Sequence, residues 1–252
     1  MQVLGIDVGG SGIKGSPVDT NTGEMLGERF RIATPKPATL EAVVDTIGQI
    51  AEHFEWKGPV GCGFPCVMRK GIAYTAANLD KSLIGADLAK AVSDRVGSPA
   101  VVINDADAAG LAVMRFGVGK DEKGLAMVIT IGTGIGSALF YEGKLIPNSE
   151  LGHVTLNLKK EGKAQDAETL VADSARKRDD LSWKEWSVRF TEYLKNMELV
   201  MNPDVFILGG GAAKKKDKFL KHLKVDTPVK VATLENRAGI IGAAMASREF
   251  GQ

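Results

Sequence analysis

Short apolar runs that end abruptly at polar or glycine residues recur along the chain. One such run, residues 101–103, consists of three β-branched residues and is followed at once by Asn104, Asp105 and Asp107. This pattern predicts a buried parallel strand with polar residues at its carboxyl end, where open α/β sheets bind ligands. Residues 108–114 then predict a helix. These carboxylates are therefore interpreted either as a helix cap, formed by Asp105 or Asp107, or as catalytic groups.

The rest of the chain alternates between strand and helix patterns. Strands are predicted at residues 2–8, 16–18, 25–32, 59–64, 125–131, 138–141, 205–208 and 229–232. Helices are predicted at residues 39–54, 83–96, 166–178, 183–201 and 237–249, the last with small residues that indicate close packing on a sheet. The order strand, glycine-rich turn, strand, turn occurs at residues 2–23 and again from residue 125, which indicates a duplicated plan.

Composition restricts the class of protein. The chain has 252 residues, of which 44% are hydrophobic and 25% charged, typical of a soluble globular protein with one large or two ordinary domains. Its net charge of +1 favours neither nucleic acid nor a membrane as partner. No apolar span of membrane-crossing length and no signal-peptide pattern occurs, so we expect a cytoplasmic protein. Cys62 and Cys66 are too few for a four-ligand zinc site and are expected to be buried free thiols.

Two glycine-rich turns at strand ends are candidate anion sites. The first follows Asp7 and consists of Gly9, Gly10, Ser11 and Gly12, with Lys14 close behind; the second consists of Gly132, Thr133, Gly134, Gly136 and Ser137. Glycine lets backbone amides approach a phosphate closely, and hydroxyl and ammonium groups add donors. The first turn does not fit the motif G-x-x-x-x-G-K-[ST] and is predicted to be a hairpin turn. A purely structural turn is the alternative at each place, and the presence of both favours phosphate binding.

Further candidates lie in the loops. Glu150 and His153 lie three residues apart. They are interpreted as a hydrogen-bonding pair, as two metal ligands, or as a helix cap and a surface histidine. Asn78 lies in an irregular segment and either closes a turn or contacts a sugar. Three glycines, Gly209, Gly210 and Gly211, follow a strand and predict either a ligand-binding backbone or a tight turn. The segment after them is basic and is predicted to be either a solvated face or a polyanion site; its lysines are Lys214, Lys215, Lys216, Lys218, Lys221 and Lys224. Residues 176–178 form a second basic segment with the same two interpretations.

Several motifs resemble the ROK family of repressors and sugar kinases, which belongs to the actin-like superfamily. They are G-I-D-V-G-G-S-G-I-K-G at 5–15, N-D-A-D-A-A-G at 104–110, G-T-G-I-G-S at 132–137, S-E-L-G-H at 149–153 and G-G-G at 209–211. Within that family, the segments P-V-D at 17–19, T-A-A-N-L-D-K-S at 75–82, D-L-S-W-K-E-W at 180–186 and A-A-K-K-K-D-K-F at 212–219 are similar to the polyphosphate-using glucokinases. The resemblance runs nearly from end to end.

The resemblance implies an α/β, actin-like (ribonuclease H-like) sugar kinase fold of two lobes with an interlobe cleft. The small lobe would comprise residues 1–110, with the C-terminal helix of about 237–252 packing back on it, and the large lobe residues 111–236. A homodimer is also implied.

The resemblance further implies phosphoryl transfer from inorganic polyphosphate, with or without ATP as a second donor, to the 6-hydroxyl of glucose. Asp105 would be the general base, and the sugar would be held by Asn78, Asn104, Asp105, Glu150, His153 and Glu168. The donor would be held by Asp7, both glycine-rich turns, Lys14, Lys81, the three glycines at 209–211 and Lys214 to Lys216. Asp7 would position Mg²⁺ through water.

The sequence departs from the family at one place. Many ROK kinases carry a C-x-C-G-x-x-G-C zinc cluster after the G-H dipeptide, whereas residues 154–168 contain no cysteine. No structural zinc is therefore expected, and Glu168 lacks its usual neighbours. The alternatives are a strictly ATP-dependent ROK glucokinase or mannokinase, and a non-catalytic sugar-binding regulator. A repressor would carry a helix-turn-helix module before the first strand, and none is expected here.

Overall fold

A computed structural model describes residues 1–77, 79–158 and 163–251. The chain divides into two compact units, one formed by Met1–Phe116 with Arg237–Gln252 and the other by Gly117–Asn236. We call them the first unit and the second unit. Within the described residues, no helix combines the length and the apolar character that a membrane crossing requires.

The elements follow one another in a regular alternation. The strands are β1 (Gln2–Gly9), β2 (Gly12–Asp19), β3 (Glu24–Met25), β4 (Phe30–Ile32), β5 (Val60–Phe64), β6 (Met68–Arg69), β7 (Ile72–Ala73), β8 (Ala100–Asn104), β9 (Leu125–Ile131), β10 (Ile135–Tyr141), β11 (Lys144–Ile146), β12 (Thr155–Leu156), β13 (Gln165–Asp166), β14 (Val205–Gly209) and β15 (Val229–Val231). The helices are α1 (Leu40–His53), α2 (Leu88–Val96), α3 (Asp105–Phe116), α4 (Glu168–Val171), α5 (Asp173–Arg178), α6 (Trp183–Met201), α7 (Gly210–Ala213), α8 (Lys216–Phe219) and α9 (Ala238–Phe250).

The first unit is built on a mixed sheet with the strand order β3-β2-β1-β5-β8, and β4 also pairs with β2. Strands β1 and β2 form an antiparallel hairpin, while β1, β5 and β8 run parallel. The apolar residues of α1, including Ile47 and Ile50, pack with Leu4 and Ile6 of β1 in one buried cluster. The carboxyl ends of β1, β5 and β8 therefore lie along the same edge of this sheet.

Helix α9 packs on β1, β5 and β8 and against α3, at distances that only glycine permits. A Cβ atom on Gly242 would lie 1.5 Å from the carbonyl oxygen of Ala108, and one on Gly61 would lie 1.8 Å from that of Ala243. The close packing expected from the small residues of this helix is thus confirmed.

The second unit repeats this plan, with the strand order β11-β10-β9-β14-β15. Strands β9 and β10 form the antiparallel hairpin, and β9, β14 and β15 run parallel. The long helix α6 buries Trp186, Phe190 and Tyr193 in the core. The predicted duplication of strand, glycine-rich turn and strand is confirmed.

Three predicted elements are wrong in their extent. The strand expected at 25–32 is two short strands, β3 and β4, and the helix expected at 83–96 begins only at Leu88. Gly85 has a φ of 82°, which a helix cannot contain, and Asp87 caps α2 by accepting a hydrogen bond from the Lys90 amide. The helix expected at 166–178 is divided into α4 and α5 by Ala172, whose backbone is extended.

Candidate active site

Asn104 and Asp105 lie at the junction of β8 and α3, in the first unit. The side-chain oxygen of Asn104 accepts hydrogen bonds from the amides of Ala106 and Asp107, at 2.8 and 3.1 Å. Its amide nitrogen donates to the carbonyl oxygen of Cys66 at 3.2 Å. Asn104 therefore caps α3, whereas the sequence pattern suggested Asp105 or Asp107 for this task. Asp105 follows the cap as the first residue of the helix and is half-buried.

A row of charged side chains crosses three strands beside the first glycine-rich turn. Asp7 of β1 is opposite Lys14 of β2, which in turn is opposite Arg31 of β4, so all three side chains project from the same face of the sheet. Lys14 Nζ lies 3.0 Å from an Asp7 carboxylate oxygen, and Arg31 donates to the carbonyl oxygen of Ser11 at 2.5 Å. The predicted hairpin turn is confirmed. Arg31 was not among the residues predicted from the sequence.

The Asp7 carboxylate is of the chemical type that the expected Mg²⁺ requires. Mg²⁺ is usually bound by one or two carboxylates together with waters and substrate phosphates. The described residues contain no group of three His, Cys, Asp or Glu that could hold a metal, so a metal at Asp7 would take its other ligands from water and the donor. The Lys14 ammonium already donates to Oδ2 of this carboxylate, so a metal at Asp7 would share the carboxylate with Lys14.

The second glycine-rich turn, between β9 and β10, has an open part and a packed part. Gly132 has nothing within 4 Å of the place of a Cβ atom, and Thr133 is exposed. Gly134 instead faces a Glu168 carboxylate oxygen, which would lie 2.2 Å from a Cβ atom and accepts a hydrogen bond from the Ile135 amide at 2.8 Å. The first residues of the turn are thus the ones with room for a ligand.

Ser137, the last residue predicted in this turn, has a buried hydroxyl with partners inside the protein. The hydroxyl donates to the Ser149 carbonyl oxygen at 2.6 Å and accepts from the Leu151 amide at 2.9 Å. Ser137 therefore fixes the segment that carries Glu150.

Glu150 lies directly before a 3-10 turn, Leu151–His153, and His153 is the last residue of that turn, which packs against the start of β10. Burial raises the pKa of Glu150, and the charge of Glu168 raises it further, while His153 opposes both. The pKa of His153 is raised mainly by its hydrogen bond to Asp166, with contributions from Glu168 and Glu150. The structure thus brings together three of the residues predicted for the sugar, and adds Asp166.

The three glycines at 209–211 form the junction between β14 and α7. Gly210 has a φ of 80° and packs on Ile131, where a Cβ atom would lie 2.6 Å from backbone atoms. The tight-turn interpretation is therefore confirmed. Gly211 is exposed and has nothing within 4 Å of the place of a Cβ atom, so this residue leaves room for a ligand.

The two predicted basic segments differ in their surroundings. Arg176 and Lys177 both pair with Asp173, at 2.8 and 2.7 Å, and Arg178 pairs with Asp179 at 2.7 Å. The lysines that follow the three glycines, Lys214, Lys215, Lys216 and Lys218, are exposed. All three cations of residues 176–178 thus have a carboxylate partner, and the exposed segment from 214 is the stronger candidate for a polyanion.

Two further predicted residues belong to the part of the chain between β7 and α2. Lys81 is exposed on a 3-10 turn, Lys81–Leu83, that Asp80 caps. Asn78 lies outside the described residues.

A comparison with protein families decides the kinship of the chain. The model of the ROK family matches residues 3–175. The chain belongs to the ROK family. It is 46% identical over 245 residues to a polyphosphate glucokinase of Mycobacterium tuberculosis, covering 97% of this chain and 90% of the relative. It is 45% identical to a polyphosphate glucokinase of Mycobacterium leprae, covering 97% of this chain and 74% of the relative.

Solved structures of ROK proteins share the fold. The inorganic polyphosphate/ATP-glucomannokinase of Arthrobacter sp. strain KM superposes with a TM-score of 0.89 at 45% identity, covering 97% of both chains. A ROK glucokinase from Streptomyces griseus, in complex with glucose and AMPPNP, superposes with a TM-score of 0.81 at 24% identity, covering 99% of this chain and 100% of that one. The predicted α/β, actin-like sugar kinase fold is thereby confirmed.

Proposed function

We propose that this ROK protein is a polyphosphate-glucose phosphotransferase, which transfers a phosphoryl group from inorganic polyphosphate to the 6-hydroxyl of glucose. The observation that carries the proposal is the identity of 46%, over 97% of the chain, with a polyphosphate glucokinase. The arrangement of carboxylates and glycine-rich turns supports it, because each of these features has a task in phosphoryl transfer.

Asp105 is proposed as the general base that accepts the proton of the 6-hydroxyl as the new phosphorus–oxygen bond to the sugar forms and the bridging bond to the rest of the polyphosphate breaks, which releases a chain one phosphate shorter. Phosphoryl transfer passes through a loose transition state, so aligning the hydroxyl contributes more than strong basicity. The Asn104 cap supports this task, since it fixes the first turn of α3 and with it the backbone of Asp105.

Asn104, Glu150, His153 and Glu168 are proposed to hold the other hydroxyls of the sugar, together with Asn78. Carboxylates accept hydrogen bonds from sugar hydroxyls, and a histidine ring nitrogen can accept or donate. In the described structure the Glu168 carboxylate binds the Ile135 amide, so its remaining oxygen is the one proposed for the sugar.

Polyphosphate binding is proposed to use cations and open backbone on each unit. In the first unit the proposed contacts to polyphosphate are Lys14 and Arg31, beside the turn at Gly9 to Gly12. In the second unit the proposed contacts are the backbone at Thr133, because the Gly132 amide already donates to the Gly134 carbonyl oxygen at 2.9 Å, together with Gly211 and the exposed lysines from Lys214 to Lys216. Mg²⁺ held at Asp7 would neutralise the charge that develops on the phosphoryl oxygens.

A donor panel tests the proposed function. With glucose and Mg²⁺ but no nucleotide, we expect polyphosphate to support formation of glucose 6-phosphate, measured by a coupled dehydrogenase assay. The KM for polyphosphate should rise steeply with salt, because binding a polyanion releases its counterions. Glucose phosphorylation that is equally slow with and without polyphosphate would contradict the proposal.

Removal of two exposed lysines tests the donor site separately. The double substitution Lys215→Gln and Lys216→Gln is expected to raise the KM for polyphosphate about 3- to 10-fold and to flatten its salt dependence, while the KM for glucose stays unchanged. The matched control is the double substitution Lys144→Gln and Lys195→Gln, which removes the same charge from exposed positions of the second unit. If both double variants behave alike, the segment from Lys214 does not bind the donor.

A second donor and a second sugar are proposed because the similar protein from Arthrobacter is a polyphosphate/ATP-glucomannokinase. ATP needs room for its base, and the backbone at Gly211 is open to a ligand. We therefore include ATP as a donor and mannose as an acceptor in the same panel.

A homodimer is also proposed, and light scattering of the purified protein measures its mass.

A further inference from the structure

Asp166 contacts His153 directly, although no motif in the sequence connects the two residues. The Nδ1 atom of the histidine lies 2.8 Å from Oδ2 of Asp166. A carboxylate at this distance accepts a hydrogen bond, so Nδ1 carries the proton whether the ring is neutral or charged. The other ring nitrogen, Nε2, is then an acceptor in the neutral ring.

The Asp166 carboxylate is itself held in place. Its Oδ1 atom accepts a hydrogen bond from the Glu168 amide at 2.9 Å. Glu168 in turn binds the amide of Ile135, at the end of the second glycine-rich turn. The carboxylate therefore has one oxygen for the backbone and one for the histidine.

We infer that Asp166 is a positioning residue, which fixes the ring orientation and the tautomer of His153 so that Nε2 faces the sugar. The inference rests on the proposed role of His153 in glucose binding. Carboxylates that bind the second nitrogen of a functional histidine have this effect in many sites, where they set both the tautomer and the direction of the ring.

The hydrogen bond between His153 and Asp166 contributes little to the stability of the fold. A positioning role of Asp166 can therefore be measured separately from a structural role. The side chains of His153 and Asp166 are 49% and 39% exposed. Ion pairs and hydrogen bonds with this much exposure add little to the free energy of folding. A change at Asp166 should therefore alter the state of His153 far more than it alters the melting temperature.

The substitution Asp166→Asn tests the inference because asparagine keeps the hydrogen bond from the Glu168 amide and reverses the one to His153. Its Oδ1 can still accept from the Glu168 amide, which leaves an NH₂ group facing His153 Nδ1. Two donors cannot share a hydrogen bond, so the proton of the neutral ring must move to Nε2. ¹⁵N NMR of the imidazole rings measures this directly. The chain has three histidines, and a His153→Gln variant assigns the signal.

We expect wild-type His153 to show the Nδ1–H tautomer at alkaline pH and Asp166→Asn to show the Nε2–H tautomer. The KM for glucose should rise about tenfold, with kcat within about twofold, because weakening an interaction equally in the ground state and the transition state changes KM alone. Asp166→Ser, whose hydroxyl is too short to reach the ring, should remove the preference for the Nδ1–H tautomer and raise the KM for glucose likewise. The control is Asp87→Asn, which changes the capping aspartate of α2 and should alter neither.

Two results would overturn the inference. One is an unchanged His153 tautomer in both Asp166 variants, and the other is a reversed tautomer with an unchanged KM for glucose. Failure of the proposed function is a separate outcome, since it would appear in the wild-type donor panel, whereas the NMR measurement needs no activity.

Discussion

Replacing Asp105 by asparagine is expected to lower kcat about 100- to 10,000-fold, the usual contribution of a general base. Asparagine has the same shape as aspartate and does not disturb the Asn104 cap, so the protein should fold and bind glucose. Formation of glucose 6-phosphate at saturating polyphosphate measures the loss, and the rise in melting temperature on adding glucose measures retained binding.

The control for this experiment is again Asp87→Asn, an aspartate of the first unit at the start of another helix. It should keep wild-type turnover. Near wild-type turnover in Asp105→Asn would mean that Asp105 is not the base, and the proposed mechanism would then have no proton acceptor.

The second large effect concerns stability, at the contact between α9 and α3. Gly242→Ala is expected to lower the free energy of unfolding by about 3 kcal/mol. In an ordinary helix the same change would stabilise by about 1 kcal/mol. Here the new Cβ atom would lie 1.5 Å from the backbone oxygen of Ala108, which has no rotamer by which to move away. Urea unfolding followed by circular dichroism gives the value.

Gly48→Ala is the matched control, because Gly48 also lies inside a helix, α1, of the first unit. A Cβ atom there would meet the guanidinium end of Arg95, a side-chain group that can shift at the loss of its ion pairs with the exposed Asp45 and Glu52, which contribute little. We expect a change within about 1 kcal/mol. If Gly242→Ala and Gly48→Ala changed the free energy of unfolding equally, the close contact between Gly242 and Ala108 would not be the reason that a glycine is required at position 242.

Periodicity predicted the sheets well, because the strands at the centre of each unit are continuous apolar runs and the glycine-rich turns follow them directly. It predicted boundaries less well where one backbone angle decides the outcome. The helix expected from residue 83 begins at Leu88 because of the positive φ of Gly85, and a single extended residue, Ala172, divides α4 from α5.

The candidate site was predictable where its residues belong to local motifs, as at Asn104 and Asp105 or at Glu150 and His153. The structural task of each of these residues was not predictable. Asn104 rather than either aspartate caps α3, and Ser137 supports the chain at Ser149. Arg31 and Asp166 were missed because each reaches its partner across strands or turns, and spacing along the sequence carries no signal for such contacts.

The position of α9 has a consequence for synthesis. Strands β1, β5 and β8 leave the ribosome before the entire second unit, yet the helix that covers them is made only afterwards. The nascent chain must therefore carry an uncovered apolar sheet face while the second unit emerges and folds, so chaperones should bind the early segment rather than the later one. Ribosome-bound chains that end at residue 236, followed by an unstructured linker that fills the exit tunnel, should accordingly resist protease in the second unit and be cleaved in the first.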